Sequence, residues 1–181
     1  MAFPEIVETE RLVLRRLRPS DRAAMDLIWS DPEVWRALRP GRPVDPGFGV
    51  ARLDHHVRHW DEHGFGLWIA ELPGDGGTAG WLGAAHPDRL SELANEVEVG
   101  WTLRRPFWGR GLASEGAAAA VSAAFAHLET DRLISLILRS NRRSIAVARR
   151  LGMQLDREVG DPELGTLCVY ALQGRSWRRE V

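Results

Sequence analysis

Residues 107–115 read Phe-Trp-Gly-Arg-Gly-Leu-Ala-Ser-Glu, and an alanine-rich run follows directly. Alanine is the best helix former and glycine among the worst, so the pattern predicts a tight loop that opens into a helix near Gly109 or Gly111. A loop of this kind leaves backbone amides free. Glycine lets a ligand approach the N–H groups closely, and the positive end of the helix dipole favours an anion there. The guest that fits is a phosphate. All 24 basic residues are arginine and there is no lysine. Schiff-base catalysis, a lysine general base and the lysine-dependent Walker-type loop are therefore excluded, and backbone and arginine must hold the phosphate.

Three histidines, His55, His59 and His63, share a helix face at i, i+4 and i+8. The glutamate of a His-Glu-x-x-His zinc motif is missing, so they are read as a solvated helix face and no metal is expected. The single cysteine, Cys168, rules out an internal disulfide and a multi-cysteine metal site, and its setting Leu-Cys-Val-Tyr-Ala-Leu is that of a core residue. Of the eight tryptophans most belong to a core by composition, with Trp35, Trp60 and Trp81 the candidates for lining a substrate cleft.

These residues need elements to hold them. A chain of 181 residues, 44% of them hydrophobic, has material for one well-buried core, and one domain over 1–181 is expected. The formal net charge of −1 gives no bias towards nucleic acid or membrane. No apolar run approaches the roughly 18 residues that span a bilayer, and acidic residues stand where a signal peptide carries cations, so a cytoplasmic protein is expected.

Leu12, Leu14 and Leu17 give a strand-like start. A helix follows with Ser20 as its N-cap and Ala24, Leu27 and Ile28 on its apolar face, and a short one after Pro32 runs to Leu38. Residues 39–49, dense in proline and glycine, form a loop, and Leu53, Val57 and Trp60 mark a helix that ends at Gly64. Strands are predicted over 65–72, 80–85 and 96–103, the first two joined as a hairpin by Pro-Gly-Asp-Gly-Gly-Thr. After the glycine-opened helix at 112–127 come an apolar strand at 132–139, a helix with Asn141 as N-cap and Gly152 past its end, and a hairpin through 153–159 and 166–173. The order describes an α/β (α+β) fold, a mixed, mostly antiparallel twisted sheet of about seven strands with helices on both faces. At one crossover a strand, a helix and a strand run parallel, and the phosphate loop sits there.

Four stretches, residues 9–21 (TERLVLRRLRPSD), 96–103 (EVEVGWTL), 107–115 (FWGRGLASE) and 141–153 (NRRSIAVARRLGM), carry a family signature in order and spacing. With them the chain resembles the GNAT superfamily of acyl-CoA-dependent N-acetyltransferases, in the branch that includes the ribosomal-protein alanine N-acetyltransferases. The resemblance implies acetyl-CoA as co-substrate and a splay between the two central parallel strands. It implies that the backbone of Trp101, Thr102 and Leu103 pairs with the pantetheine arm as an added strand would. The N–H groups of Gly109, Arg110, Gly111, Leu112, Ala113 and Ser114, beside Trp108, would hold the pyrophosphate, and Asn141 and Ser144 would meet the pantetheine near its reacting end. There are two departures. Pro106 stands where the pattern has Gln or Arg, which turns attention to Arg104 or Arg105. Ala148 stands where many members carry a tyrosine general acid, and the chain's one tyrosine is Tyr170.

Amide formation from a thioester needs a neutral amine, an anchored carbonyl and a thiol that can leave. An α-amine with pKa about 7.7–8.0 is roughly 10–20% neutral at pH 7, a lysine at about 10.4 only about 0.04%. Deprotonation costs about 1 kcal/mol for the first and about 4.6 kcal/mol for the second, so a weak base suits α-amines. Glu98 matches the position where many relatives place a base that works through a water. A carboxylate near its ordinary pKa of about 4.3 is a poor base, so the reading requires burial to raise it; alternation puts Glu96 on the same face as the alternative. A thiol with pKa near 8.5 leaves as a tolerable thiolate, with Ser144 as proton donor in the tyrosine's place. A backbone N–H near Val99 or Trp101 would meet the carbonyl oxygen. The expected activity is acetyl transfer from acetyl-CoA to a protein or peptide N-terminal α-amine ahead of a small-molecule amine. The rival is a catalytically idle module that senses acyl-CoA or another nucleotide. Neither nucleic acid nor membrane is an expected partner, and a homodimer is left open.

Overall fold

The computed structural model describes residues 2–74 and 77–177. Eight strands form one sheet: β1 (Ile6–Glu8), β2 (Val13–Arg16), β3 (Leu67–Glu71), β4 (Thr78–Ala85), β5 (Glu98–Leu103), β6 (Arg132–Leu138), β7 (Gln154–Asp161) and β8 (Gly165–Gln173), in the order β1-β2-β3-β4-β5-β6-β8-β7. Every neighbouring pair is antiparallel except β5 and β6. Five α-helices accompany it: α1 (Arg22–Trp29), α2 (Pro32–Leu38), α3 (Phe48–His63), α4 (Leu112–His127) and α5 (Arg142–Arg150). The parallel crossover is β5-α4-β6, where the pattern placed it.

The strand beyond the expected seven is β1. Its three residues are mostly exposed on the sheet edge, so no apolar alternation announces it. Two further corrections are local. A 3₁₀ turn over Pro19–Asp21 precedes α1, so the residue at its N-cap is Asp21 and not Ser20. The Asp21 carboxylate accepts the Arg18 N–H at 2.8 Å and pairs with Arg15 at 2.8 Å, an anchor that serine lacks. Helix α3 begins at Phe48, one residue after Gly47 at φ +85°, so the expected loop is two residues shorter. Asp75 and Gly76 of the expected hairpin loop lie outside the described residues, while β3 and β4 pair antiparallel from Leu67↔Gly83 onward.

Alternation along β3 shows how the sheet is covered. Trp68 and Ala70 enter the apolar cluster under α4 and α5, while Leu67 and Ile69 enter the one under α1 and α3. Helix α4 meets the sheet through Gly116, Ala117, Ala120 and Ala124. A Cβ on Gly116 would stand 2.2 Å from Leu82 Cδ2, so the small residues set how closely this helix lies. A third cluster, built on Leu93, Ile134 and Val169, packs the loop before β5 onto β6 and β8. No described helix is long and apolar enough to cross a membrane.

Candidate active site

Strands β5 and β6 touch at one register pair, Glu98↔Ile134, and then part. The Ile134 N–H donates to the Val97 carbonyl at 2.9 Å. One step on, side chains replace the ladder: the Ser135 hydroxyl donates to the Val99 carbonyl at 2.6 Å, and the Leu136 N–H donates to the Glu98 carboxylate at 3.2 Å. The Trp108 indole takes the Leu103 carbonyl at 2.7 Å. By the pattern of a parallel ladder the Val99 N–H is already used, which leaves the backbone of Trp101 and the N–H of Leu103 directed into the gap.

On one side of the gap lies a groove of about 570 Å³. Trp101, Thr102, Leu103, Trp108, Gly109, Gly111, Leu112, Ala113 and Ser114 line it, together with Asn141 and Ser144. Gly109 at φ +73° and Gly111 at φ +79° take left-handed conformations, Gly111 is the N-cap of α4, and no side chain caps that helix. Its first-turn amides are therefore open to a ligand. The loop is clasped from outside. Glu115 accepts the Thr9 hydroxyl at 2.6 Å and the Arg11 N–H at 2.8 Å, and the Arg11 guanidinium donates to the Arg110 carbonyl at 2.8 Å. Two of the four signature stretches thus hold each other. An open helix terminus, free backbone on β5 and the unpartnered Thr102 hydroxyl fit a diphosphate with an extended amide arm.

A second cavity, about 170 Å³, lies on the side of α1, α2 and α3. It shares Ala37, Leu38, Trp101, Thr102, Asn141 and Ser144 with the groove, so the two spaces meet there. Glu98 lines this cavity alone. Burial pushes its carboxyl up to about 7 against the downward pull of the Leu136 N–H; Asp88 adds to the rise, and Arg52 and Arg89 oppose it.

Asn141 caps α5 with its side chain: Oδ1 accepts the Ser144 N–H at 3.1 Å and Nδ2 donates to the Ala37 carbonyl at 3.2 Å. The cap thus occupies the side chain and ties α5 to α2. Among the expected residues, Trp81 lines the second cavity. Trp35 lines neither space and packs beside the second apolar cluster with Arg36 over its ring. Trp60, 2% exposed, donates to the Leu67 carbonyl at 2.7 Å from within the core, which removes it from the cleft expected of it. Arg104 donates to the Thr78 carbonyl, and Arg104 and Arg110, neither of which lines the groove, both stack on Phe107, which does. Glu96 pairs with Arg132 away from both spaces, and Tyr170 is buried in the main cluster. Ala148 is likewise fully buried.

The histidines are a solvated face only in part: His63 is exposed and His55 half-buried, but His59 is not. His59 is 6% exposed, bonds the Phe65 carbonyl at 2.9 Å and accepts the His86 N–H at 3.0 Å, and burial lowers its pKa to about 4. His56, equally buried, lines the second cavity. Sequence reasoning missed Arg143 and Arg150 in the groove, and Trp29, Arg39, Asp88 and Arg89 in the cavity. The arginines carried a signal: with Val147 they sit at i, i+4 and i+7, one face of α5. The cavity residues carried none, because three separate segments bring them together.

A family description, the acetyltransferase (GNAT) domain, matches residues 11–154. The chain is 32% identical to an acetyltransferase from Agrobacterium tumefaciens whose crystal structure superposes with a TM-score of 0.78 over 96% of each chain. It is 25% identical to an uncharacterized N-acetyltransferase, p20, of Bacillus licheniformis over 88% of both. A ribosomal L7/L12 α-N-protein acetyltransferase, solved in complex with coenzyme A, shares the fold at 16% identity, with a TM-score of 0.72 over 96% of this chain and 98% of that one.

Proposed function

The chain belongs to the GNAT acetyltransferase family, and from that premise we propose that it moves an acetyl group from acetyl-CoA directly to an α-amine in a ternary complex. The observation that carries this reading is Glu98, a half-buried residue in the wall of the second cavity whose carboxyl is pushed up to about 7, on the strand whose Trp101 and Thr102 line both spaces. Acetyl-CoA supplies the thioester; the chain's residues supply position and proton transfer.

The groove takes the diphosphate at the first turn of α4, where the glycine-opened amides point outward. Arg143 and Arg150 add charge from α5. The Trp101 backbone orients the pantetheine arm, and its N–H is the donor for the carbonyl oxygen, since that of Val99 is engaged in the ladder. Glu98 accepts the amine proton through a water. A base poised near 7 is half ionised at neutral pH and strong enough to assist an amine of pKa about 8. Ser144 lines both spaces and serves as proton donor towards the thiol.

The test is thiol release, followed with dithiobisnitrobenzoate across a panel of α-amines, for the wild type and Glu98→Gln. Turnover that depends on Glu98 supports transfer. Coenzyme A binding by thermal shift without turnover on any amine would instead mark an idle sensor.

A further inference from the structure

Seven buried side-chain nitrogen and oxygen atoms among the described residues have no hydrogen-bond partner, and all but His127 Nδ1 belong to residues that line the second cavity. Two of these, Trp101 Nε1 and Thr102 Oγ1, are on residues shared with the groove. The other four, Trp29 Nε1, Arg39 Nε, His56 Nδ1 and Trp81 Nε1, are on residues of the acceptor side alone.

All four are donors. Indole and guanidinium nitrogens can only donate. His56 joins them because its Nε2 lies 2.9 Å from Arg52 Nη2; the guanidinium must donate there, so the ring proton sits on Nδ1. The four groups arrive from α1, the end of α2, α3 and β4, and Trp29 and His56 are each 6% exposed. The cavity's other carboxylate, Asp88, is already paired with Arg52 and His55. Arg89 lines the same wall as Arg39, the first paired with Asp161 at 3.6 Å and the second with Glu163 at 3.2 Å. Buried donors call for acceptors, and a wall of donors beside guanidinium groups selects an oxyanion over a neutral carbonyl.

We propose that the amine acceptor carries a carboxylate close to its nitrogen, as an amino acid does, and that Trp29, Arg39, His56 and Trp81 bind that carboxylate while Glu98 receives the amine proton. The inference rests on the transfer reading above. A cavity of about 170 Å³ suits a small molecule of this kind. A peptide N-terminus offers only a neutral carbonyl at the same distance from its amine.

The experiment compares amino acids with their primary amides, pairs that differ in the carboxylate, using kcat/KM corrected for the neutral fraction of each amine. The wild type should prefer the acid by about tenfold or more, the worth of one charge-assisted hydrogen bond. Trp81→Phe, which keeps an aromatic ring and deletes the donor, and Arg39→Met should shrink that preference through KM of the acid, with stabilisation by coenzyme A as the control for folding. Equal or better use of the amides by the wild type, or equal losses on acid and amide in both variants, overturns the proposal. If no amine is turned over, N-acetyl amino acids and their amides are titrated into the coenzyme A-loaded protein by calorimetry. Selective binding of the acids then upholds the carboxylate site and overturns the transfer reading; unselective or absent binding overturns the site.

Discussion

The groove and the acceptor cavity share six residues and are made of different materials. The groove recognises through backbone: two left-handed glycines, an uncapped helix and a strand that has lost its neighbour. The cavity recognises through side chains, with indoles, guanidinium groups, a neutral histidine and a carboxyl held near 7. Backbone recognition depends on a local conformation that a short run of residues can specify. Side-chain recognition depends on tertiary packing, so its residues can be exchanged without disturbing the loop. On the proposed reading, the contrast separates one part of the protein that fixes the cofactor from another that fixes the acceptor.

The largest effect should come from breaking the backbone side. Gly111→Val and Gly109→Val place a β-branched residue at φ +79° and +73°, where such side chains are outliers. Gly109 faces open space and Gly111 meets only Arg11 Nη2 at 3.4 Å, so the penalty is conformational and not a core clash. Thermal stabilisation by coenzyme A should vanish in both variants. Undiminished stabilisation would place the cofactor elsewhere and dissolve the contrast.

Next in size is Glu98→Gln, which should leave stabilisation by coenzyme A intact and lower turnover by roughly 10²–10⁴ at neutral pH, the usual worth of a general base. The loss should shrink as pH rises towards the amine's own pKa. Stability gives a second readout. Unfolded, the carboxyl ionises above its ordinary 4.5; folded, only above about 7, so its contribution to stability is lost as pH rises through that window. The Gln variant, which does not titrate, should therefore gain stability relative to the wild type between pH 4.5 and 7. Parallel rate profiles with less than a few-fold offset would remove Glu98 as the base.

The same contrast explains what could be read from the letters. Gly109, Gly111 and the alanines announce the loop and α4 because propensity and conformation agree there, and Asn141 announces a cap. Glu98 drew attention through the family resemblance at its place before Val-Gly-Trp, but its raised pKa comes from burial in a splay that no local pattern shows. Trp60 fell to the core because an indole at i+7 of a helix reads the same whether it lines a cleft or packs a sheet. Strand β1 hid for want of alternation, and His59 for want of any sign that its two nitrogens would bridge Phe65 and His86. The cavity's donors come from positions 29, 39, 56 and 81, too far apart for spacing to relate them.

A smaller effect belongs to the seam between the two spaces. Asn141→Ala removes the cap on Ser144 and the tie to the Ala37 carbonyl, and should cost about 1–2 kcal/mol in denaturant unfolding. Asn141→Asp keeps an N-cap acceptor and should recover most of that. If the alanine variant weakens coenzyme A binding with no change in stability, Asn141 serves the groove's ligand and does not tie its walls together.

The smallest effect tests whether the cavity's charges act as a set. Asp88 raises the Glu98 carboxyl and Arg52 lowers it, while Asp88 also pairs with Arg52. In Asp88→Asn an upward push is lost and the Arg52 charge is released from its partner, two changes of one sign, so the lower inflection of kcat/KM should fall below about 7. In Arg52→Met a downward pull is lost, and the inflection should rise. Shifts of about half a unit to a unit, roughly 0.7–1.4 kcal/mol of screened interaction, are large enough for a pH profile to resolve. Opposite displacements in the two variants identify Glu98 as the titrating group, since both charges act on it and with opposite sign. An inflection that stays in place in both belongs to the amine, and the proton then leaves without help from the cavity.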